Sequence, residues 1–176
     1  VLNNTVSANN ISGANSMSYD GAGIYTFNAG SNLITSNTIQ DCGSLYLRSA
    51  GIMVDVASGA STAAMTISGH NITNNSTAGI AVSGAGHRIT GNSVVNNGGD
   101  FMEGRGQLQF FASGSPASNC TVTGNTIEAS TYRQFLVAEK GSTSGHYINY
   151  NCYCGQSSKQ FSWAGEWMQF ETWQNK

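Results

Sequence analysis

Apolar and polar residues alternate in short runs along the chain, and a helical period of 3.6 appears nowhere before the C-terminus. One six-residue phrase keeps returning, as ITSNTI over 34–39, ITGNSV over 89–94 and VTGNTI over 122–127. Its branched first residue falls at Val6, Ile34, Ile67, Ile89, Val122 and Ile148. Three residues later stand Asn9, Asn37, His70, Asn92, Asn125 and Asn151, and two beyond those Ile11, Ile39, Ile72, Val94, Ile127 and Tyr153. The six copies are separated by 28, 33, 22, 33 and 26 residues. Between them lies a second phrase: GIYTF (Gly23–Phe27), GIMVDV (Gly51–Val56), GIAVS (Gly79–Ser83), GQLQFF (Gly106–Phe111) and RQFLVA (Arg133–Ala138). Each has the two-residue period of a half-buried strand.

A fixed phrase with variable spacing predicts a solenoid whose loops differ from coil to coil. Short strands joined by Gly, Ser and Asn turns predict an all-β fold, a right-handed parallel β-helix of six coils over residues 1–154. Each strand would pair with its counterpart one coil away, at about 4.8 Å, giving a stack of roughly 29 Å. The recurring Asn, placed at a bend, predicts a ladder of side-chain amides that satisfies groups otherwise buried unpaired. His70 shares that column and reads as a hydrogen-bonded substitute for Asn. His87 and His146 precede strands in turns and carry no assigned role.

Composition narrows the function class. Charged residues are 9% of the chain, against a usual share of about 25%. The net charge of −2, with seven Lys and Arg, argues against nucleic acid or an anionic membrane as partner. No apolar run approaches the length of a transmembrane helix, and no signal peptide opens the chain. Cys42, Cys120, Cys152 and Cys154 read as buried small residues that allow one disulfide. Cys152-Tyr153-Cys154 lacks the two-residue gap of a zinc knuckle or redox motif.

The coil phrases resemble those of the right-handed parallel β-helix superfamily, the pectate-lyase-like proteins, over residues 1 to about 154. The tail NYNCYCGQSSKQFSWAGEWMQFETWQ looks like the C-terminal segment of secreted bacterial members, through Asn151, Tyr153, Phe161, Trp163, Gly165, Phe170, Trp173 and Gln174. The resemblance implies that residues 155–176 close the end of the helix and that the protein is extracellular. It also implies a long, unbranched polysaccharide as partner. Trp163, Trp167, Phe170 and Trp173 would form the plug, the last three on one face of a short helix. The first coil has no capping helix. The chain therefore reads as the C-terminal part of a longer protein, with an uncapped edge that could pair with another copy.

Candidate chemistry follows from the scarce charges. Asp20, Asp41, Arg48, Asp100, Glu103, Arg105, Glu128 and Arg133 all fall between an Asn phrase and the next strand phrase. That is eight of sixteen charged residues (seven basic plus nine acidic) on one edge of the solenoid. The third such segment is short and uncharged, which predicts a notch floored by Ala81 and Ser83. Tyr25, Phe27, Met53, Asp55, Gln109 and Phe111 would face outward beside it. Tyr25, Phe27, Gln109 and Phe111 are the expected sugar contacts, their rings offering flat apolar surfaces. Asp55 with Asp100 or Glu103 would suit acid–base glycoside hydrolysis. Arg48 or Arg105 neutralising a uronate would instead suit β-elimination. A binding or adhesion module without catalysis is the alternative. No cofactor is expected; calcium has no supporting loop motif.

Overall fold

The computed structural model of the protein describes residues 2–14, 20–43, 48–60, 63–98, 106–129, 134–155 and 160–174. Six coils follow one another, each contributing one strand to each of three sheets. The first coil holds β1 (Thr5–Ser7), β2 (Asn10–Ser12) and β3 (Asp20–Phe27). The second holds β4 (Leu33–Thr35), β5 (Thr38–Gln40) and β6 (Arg48–Asp55). The third holds β7 (Thr66–Ser68), β8 (Asn71–Thr73) and β9 (Ala78–Val82). The fourth holds β10 (Arg88–Thr90), β11 (Ser93–Val95) and β12 (Gly106–Phe110). The fifth holds β13 (Thr121–Thr123), β14 (Thr126–Ala129) and β15 (Gln134–Ala138). The sixth holds β16 (Tyr147–Asn149), β17 (Cys152–Gly155) and β18 (Phe161–Trp163), after which come β19 (Glu166–Met168) and helix α1 (Phe170–Trp173). Every pairing between coils is parallel and in the register the phrases predict. The β-helix expected from the repeat is therefore the fold.

The core is three stacks of side chains. Ile34, Ile67, Ile89 and Val122 lie over one another in the first sheet, Ile39, Ile72, Val94 and Ile127 in the second, and Ile52, Ile80, Leu108 and Leu136 in the third. All are fully buried. At the ends the stacks open, and Val6, Ile11, Ile148 and Tyr153 are only partly covered. The segment expected to form the cap contributes its first strand, β18, to the third sheet, and β19 turns back antiparallel to it. Trp173 stacks on Phe161 at 4.3 Å and Tyr153 packs edge-on against Phe161 at 5.1 Å, which closes this end. Trp167 is exposed on β19 and does not belong to the helix, so the three-residue spacing that placed it on a helical face misled.

Three columns of corner residues hold the coils in register. At the first corner the Asn9 N–H and side-chain Nδ2 both donate to Asn37 Oδ1, at 2.9 Å each. Asn92 does the same to Asn125 Oδ1 at 2.9 and 2.9 Å, and Asn125 to Asn151 Oδ1 at 3.0 and 2.8 Å. Asn37, Asn92, Asn125 and Asn151 also donate to a strand carbonyl of the preceding coil, as Asn92 does to Ile67 O at 3.1 Å. His70 reproduces both roles with its ring. Its Nδ1 accepts from the Asn37 N–H at 3.0 Å and its Nε2–H donates to Ile34 O at 3.0 Å.

The residue before each rung, Ala8, Ser36, Gly69, Gly91, Gly124 and Tyr150, has positive φ. This left-handed residue turns the chain, and its sterics explain the Gly that fills three of the six positions.

The two other corners use the same device with less regular residues. At the second, Cys42 N–H donates to Asn75 Oδ1 at 2.9 Å and Asn75 N–H to Asn97 Oδ1 at 3.0 Å. Asn97 N–H in turn donates to Gln107 Oε1 at 2.8 Å. A Cβ on Gly51 would come within 2.9 Å of the Asn75 amide and one on Gly79 within 2.8 Å of the Asn97 amide. The glycine of the strand phrase thus leaves room for the ladder. At the third corner, Asn4 N–H donates to Asn32 Oδ1 at 2.7 Å, Met65 N–H to His87 Nδ1 at 3.0 Å and Cys120 N–H to His146 Nδ1 at 3.2 Å. His87 and His146, which the sequence left without a role, are therefore structural rungs.

Substituting a rung should be costly. Asn92→Ala leaves the buried His70 N–H, now 3.0 Å from Asn92 Oδ1, without an acceptor. We expect a loss of about 3 kcal/mol, read from the denaturant midpoint; a loss below ~0.5 kcal/mol would contradict the ladder's role.

All three histidines accept an N–H at Nδ1 and donate to a carbonyl from Nε2, so the fold binds the neutral ring. Burial holds the pKa of His70, His87 and His146 below the ordinary 6.5. The unfolded chain takes up these protons at higher pH than the folded one. Their contribution is thus present above pH 6.5 and lost as pH falls below it, by up to about 1.4 kcal/mol per histidine per pH unit. The melting temperature should fall between pH 7 and 5.5. His70→Asn, which keeps the ladder without a titrating ring, should flatten that slope; an unchanged slope would exclude His70 as a contributor.

Candidate functional site

The outward face of the third sheet carries the expected contacts. In register across the coils, Tyr25 lies beside Met53, then Ala81, Gln109 and Val137. Phe27 lies beside Asp55, and Ser83, Phe111 and Glu139 follow at the same step of 28 residues. Only the first rung of this face is open: Tyr25 is 41% exposed and Phe27 55%. Gln109, at 3%, and Phe111, at 6%, are buried, as are Met53, Ala81 and Ser83. The expected open notch is therefore absent at these residues. Alternation fixes which way a side chain points, and not whether something covers it. Phe111 packs with Met53, Ala81, Ala50 and Ala78 in a second apolar cluster outside the coil stack.

The chain after Phe111 adds to this cover. Ser115 N–H donates to Val56 O at 2.8 Å, its hydroxyl donates to Ala57 O at 2.8 Å, and Gly84 N–H donates to Ser115 O at 2.7 Å. A segment of the fourth coil thus folds back across the third to reach the second, next to Asp55. A Cβ on Gly114 would overlap the Val56 carbonyl, and its φ is +78°, so only glycine lets the two backbones meet there.

Asp55 is 7% exposed and sits at the boundary between the open and covered parts. The Tyr25 hydroxyl donates to its Oδ2 at 3.3 Å, and Ser83 Oγ lies 3.5 Å from its Oδ1. Ser83 Oγ itself accepts the Val56 N–H at 2.8 Å, which fixes its hydroxyl toward the carboxylate. Glu139 is a second carboxylate on this face, and nothing singled it out in the sequence except the 28-residue step from Asp55. It accepts Gln109 Nε2 at 2.9 Å and Ala112 N–H at 3.0 Å. Three coils separate it from Asp55, about 14 Å. That exceeds the roughly 5–9.5 Å of a glycosidase pair. Gln109 therefore meets Glu139 and not an open surface.

Asp100, Glu103 and Arg105 lie outside the described residues. So does the side chain of Arg48, whose backbone opens β6 opposite Asp20. Glu128 projects from β14 on the outer side of the second sheet, away from the edge where its loop position had placed it. Among the described residues, no three His, Cys, Asp or Glu side chains converge as metal ligands, and no helix is long and apolar enough to cross a membrane. Cys42 and Cys120 are buried as expected, whereas Cys152 is exposed and Cys154 half-buried. A concave feature lies at the last coil, a cleft of about 430 Å³ walled by Tyr150, Tyr153, Trp163 and Trp173 with Asn149 and Asn151.

The family model described as the right-handed β-helix region matches residues 2–110 of the 176. No curated protein and no solved structure matches the chain. With the stacked parallel sheets already described, the match covers more than half of the sequence: the chain belongs to the right-handed β-helix family.

Proposed function

We propose that the protein binds a long polysaccharide along the side of its β-helix, at the strip formed by Tyr25, Phe27 and Asp55. The observation that carries this reading is the pair of exposed rings on one strand, two residues apart, beside a carboxylate that one of them orients. Sugar rings stack on such faces, and a carboxylate accepts their hydroxyls. Binding fits these residues better than catalysis. Asp55 and Glu139 are too far apart to share one glycosidic bond, and each already accepts hydrogen bonds. Hydrolysis or β-elimination would require Asp100, Glu103 or Arg105 to meet Asp55.

Affinity electrophoresis through pectin, alginate, xylan and glycosaminoglycan gels tests the proposal. Retardation by at least one polymer is expected. The Tyr25→Ala, Phe27→Ala double variant should weaken it by about tenfold or more, at roughly 0.5–1.5 kcal/mol per ring. A variant retarded as strongly as the parent would remove the strip from the binding surface. In the same panel, reducing ends and unsaturated-uronide absorbance should stay at the blank level. Product that disappears in Asp55→Asn would assign catalysis instead.

A further inference from the structure

Cys152 and Cys154 flank Tyr153 in β17, the last rung of the second sheet. Tyr153 points inward, with its ring 5.9 Å from Trp173 in the end plug. The two sulfurs point outward together, 3.2 Å apart. Their columns are water-facing. Thr126, Ser93, Asn71 and Thr38 lie in line with Cys152, and Glu128, Val95, Thr73 and Gln40 with Cys154. Apolar packing accounts for Cys42 and Cys120 in the core, but not for a thiol pair placed where the other coils mostly carry polar groups. Residues two apart in a strand have Cα atoms about 6.6 Å apart, inside the roughly 4.4–6.8 Å that a disulfide spans. β17 is paired on one side only, to β14, and has no strand on its outer side among the described residues, so its pleat is held by one ladder instead of two.

We propose that Cys152 and Cys154 form a thiol–disulfide exchange site that reduces a small-molecule disulfide and closes into a disulfide within the strand. The more exposed Cys152 attacks first, as thiolate, at one sulfur of the small disulfide. That S–S bond breaks, and one small thiol leaves with the proton Cys152 gave up. The Cys154 sulfur then attacks Cys152, and the second small thiol leaves with the Cys154 proton. The protein loses two electrons and two protons, and the small disulfide gains them. The order agrees with Cys154's raised pKa: its hydrogen bond with Cys152 comes first, then burial and the neighbouring charges of Cys152 and Glu128. Cys154 keeps its proton until the mixed disulfide lies beside it.

Incubating the folded full chain with excess oxidised glutathione tests this by intact mass. The parent should lose two hydrogens and retain no glutathione. Cys154→Ser should retain one glutathione on Cys152, because the resolving thiol is gone, whereas Cys152→Ser, which lacks the attacking thiol, should take up glutathione more slowly than Cys154→Ser; a far-ultraviolet spectrum matching the parent shows that both are folded. Peptide mapping should find Cys42 and Cys120 unmodified in all three. A parent that keeps glutathione adducts, that dimerises through these sulfurs, or that leaves both thiols free would overturn the proposal.

Discussion

At the inner corners of this molecule a peptide N–H turns away from the strand ladder and needs an acceptor where water does not reach. At most of these bends a side chain one coil away supplies it, and at Asn97 the same coil's Gln107 does. Where the acceptor belongs to the neighbouring coil, the bond that satisfies a turn also sets the register between coils. Buried unpaired N–H groups cost about 1–3 kcal/mol each, so a coil cannot slip by one residue without losing this whole set. The low charge content follows from the same constraint. Corners want neutral amides or neutral imidazoles that both donate and accept, and a charged group does only one of these.

The constraint specifies hydrogen-bonding capacity more than residue type. Asn, Gln and neutral His all serve, and so can the Met65 sulfur, which accepts from Asn32 Nδ2 at 3.7 Å. Loops can then vary between coils without disturbing the stack. The third sheet shows what that freedom allows. One loop folds back over two coils to cover the outer face near Asp55, while Tyr25 and Phe27 one rung away stay open. A site on such a scaffold is made by what the loops cover and what they leave bare.

The first corner was legible because Asn recurs there with the apolar residues fixed on both sides. The third column repeats the same steps, as in Asn32, Met65, His87, Cys120 and His146, and the second does so from Cys42 to Asn75 and Asn97, but their residue types are mixed and hide the pattern. Strand direction was also legible, since Gly-Ile phrases alternate cleanly. Exposure was not: Gln109 and Phe111 point outward as the period requires and are still buried, Phe111 in an apolar cluster with Met53 and Ala81 and Gln109 against Glu139. Glu139 was missed because it follows a strand that ends in apolar residues, and only the register brings it to Gln109. Cys152 and Cys154 looked like core residues by composition, and their strand parity puts them outside.

Amide hydrogen exchange of the ladder N–H groups tests the central claim most directly. Asn37, His70, Asn92 and Asn125 lie in turns, where amides ordinarily exchange fast. If corner bonds hold the coils together, these four amides should exchange as slowly as those of Ile67 and Ile89 in the buried strands. Exchange at the rate of exposed turns would show that the coils are held by strand pairing and packing alone.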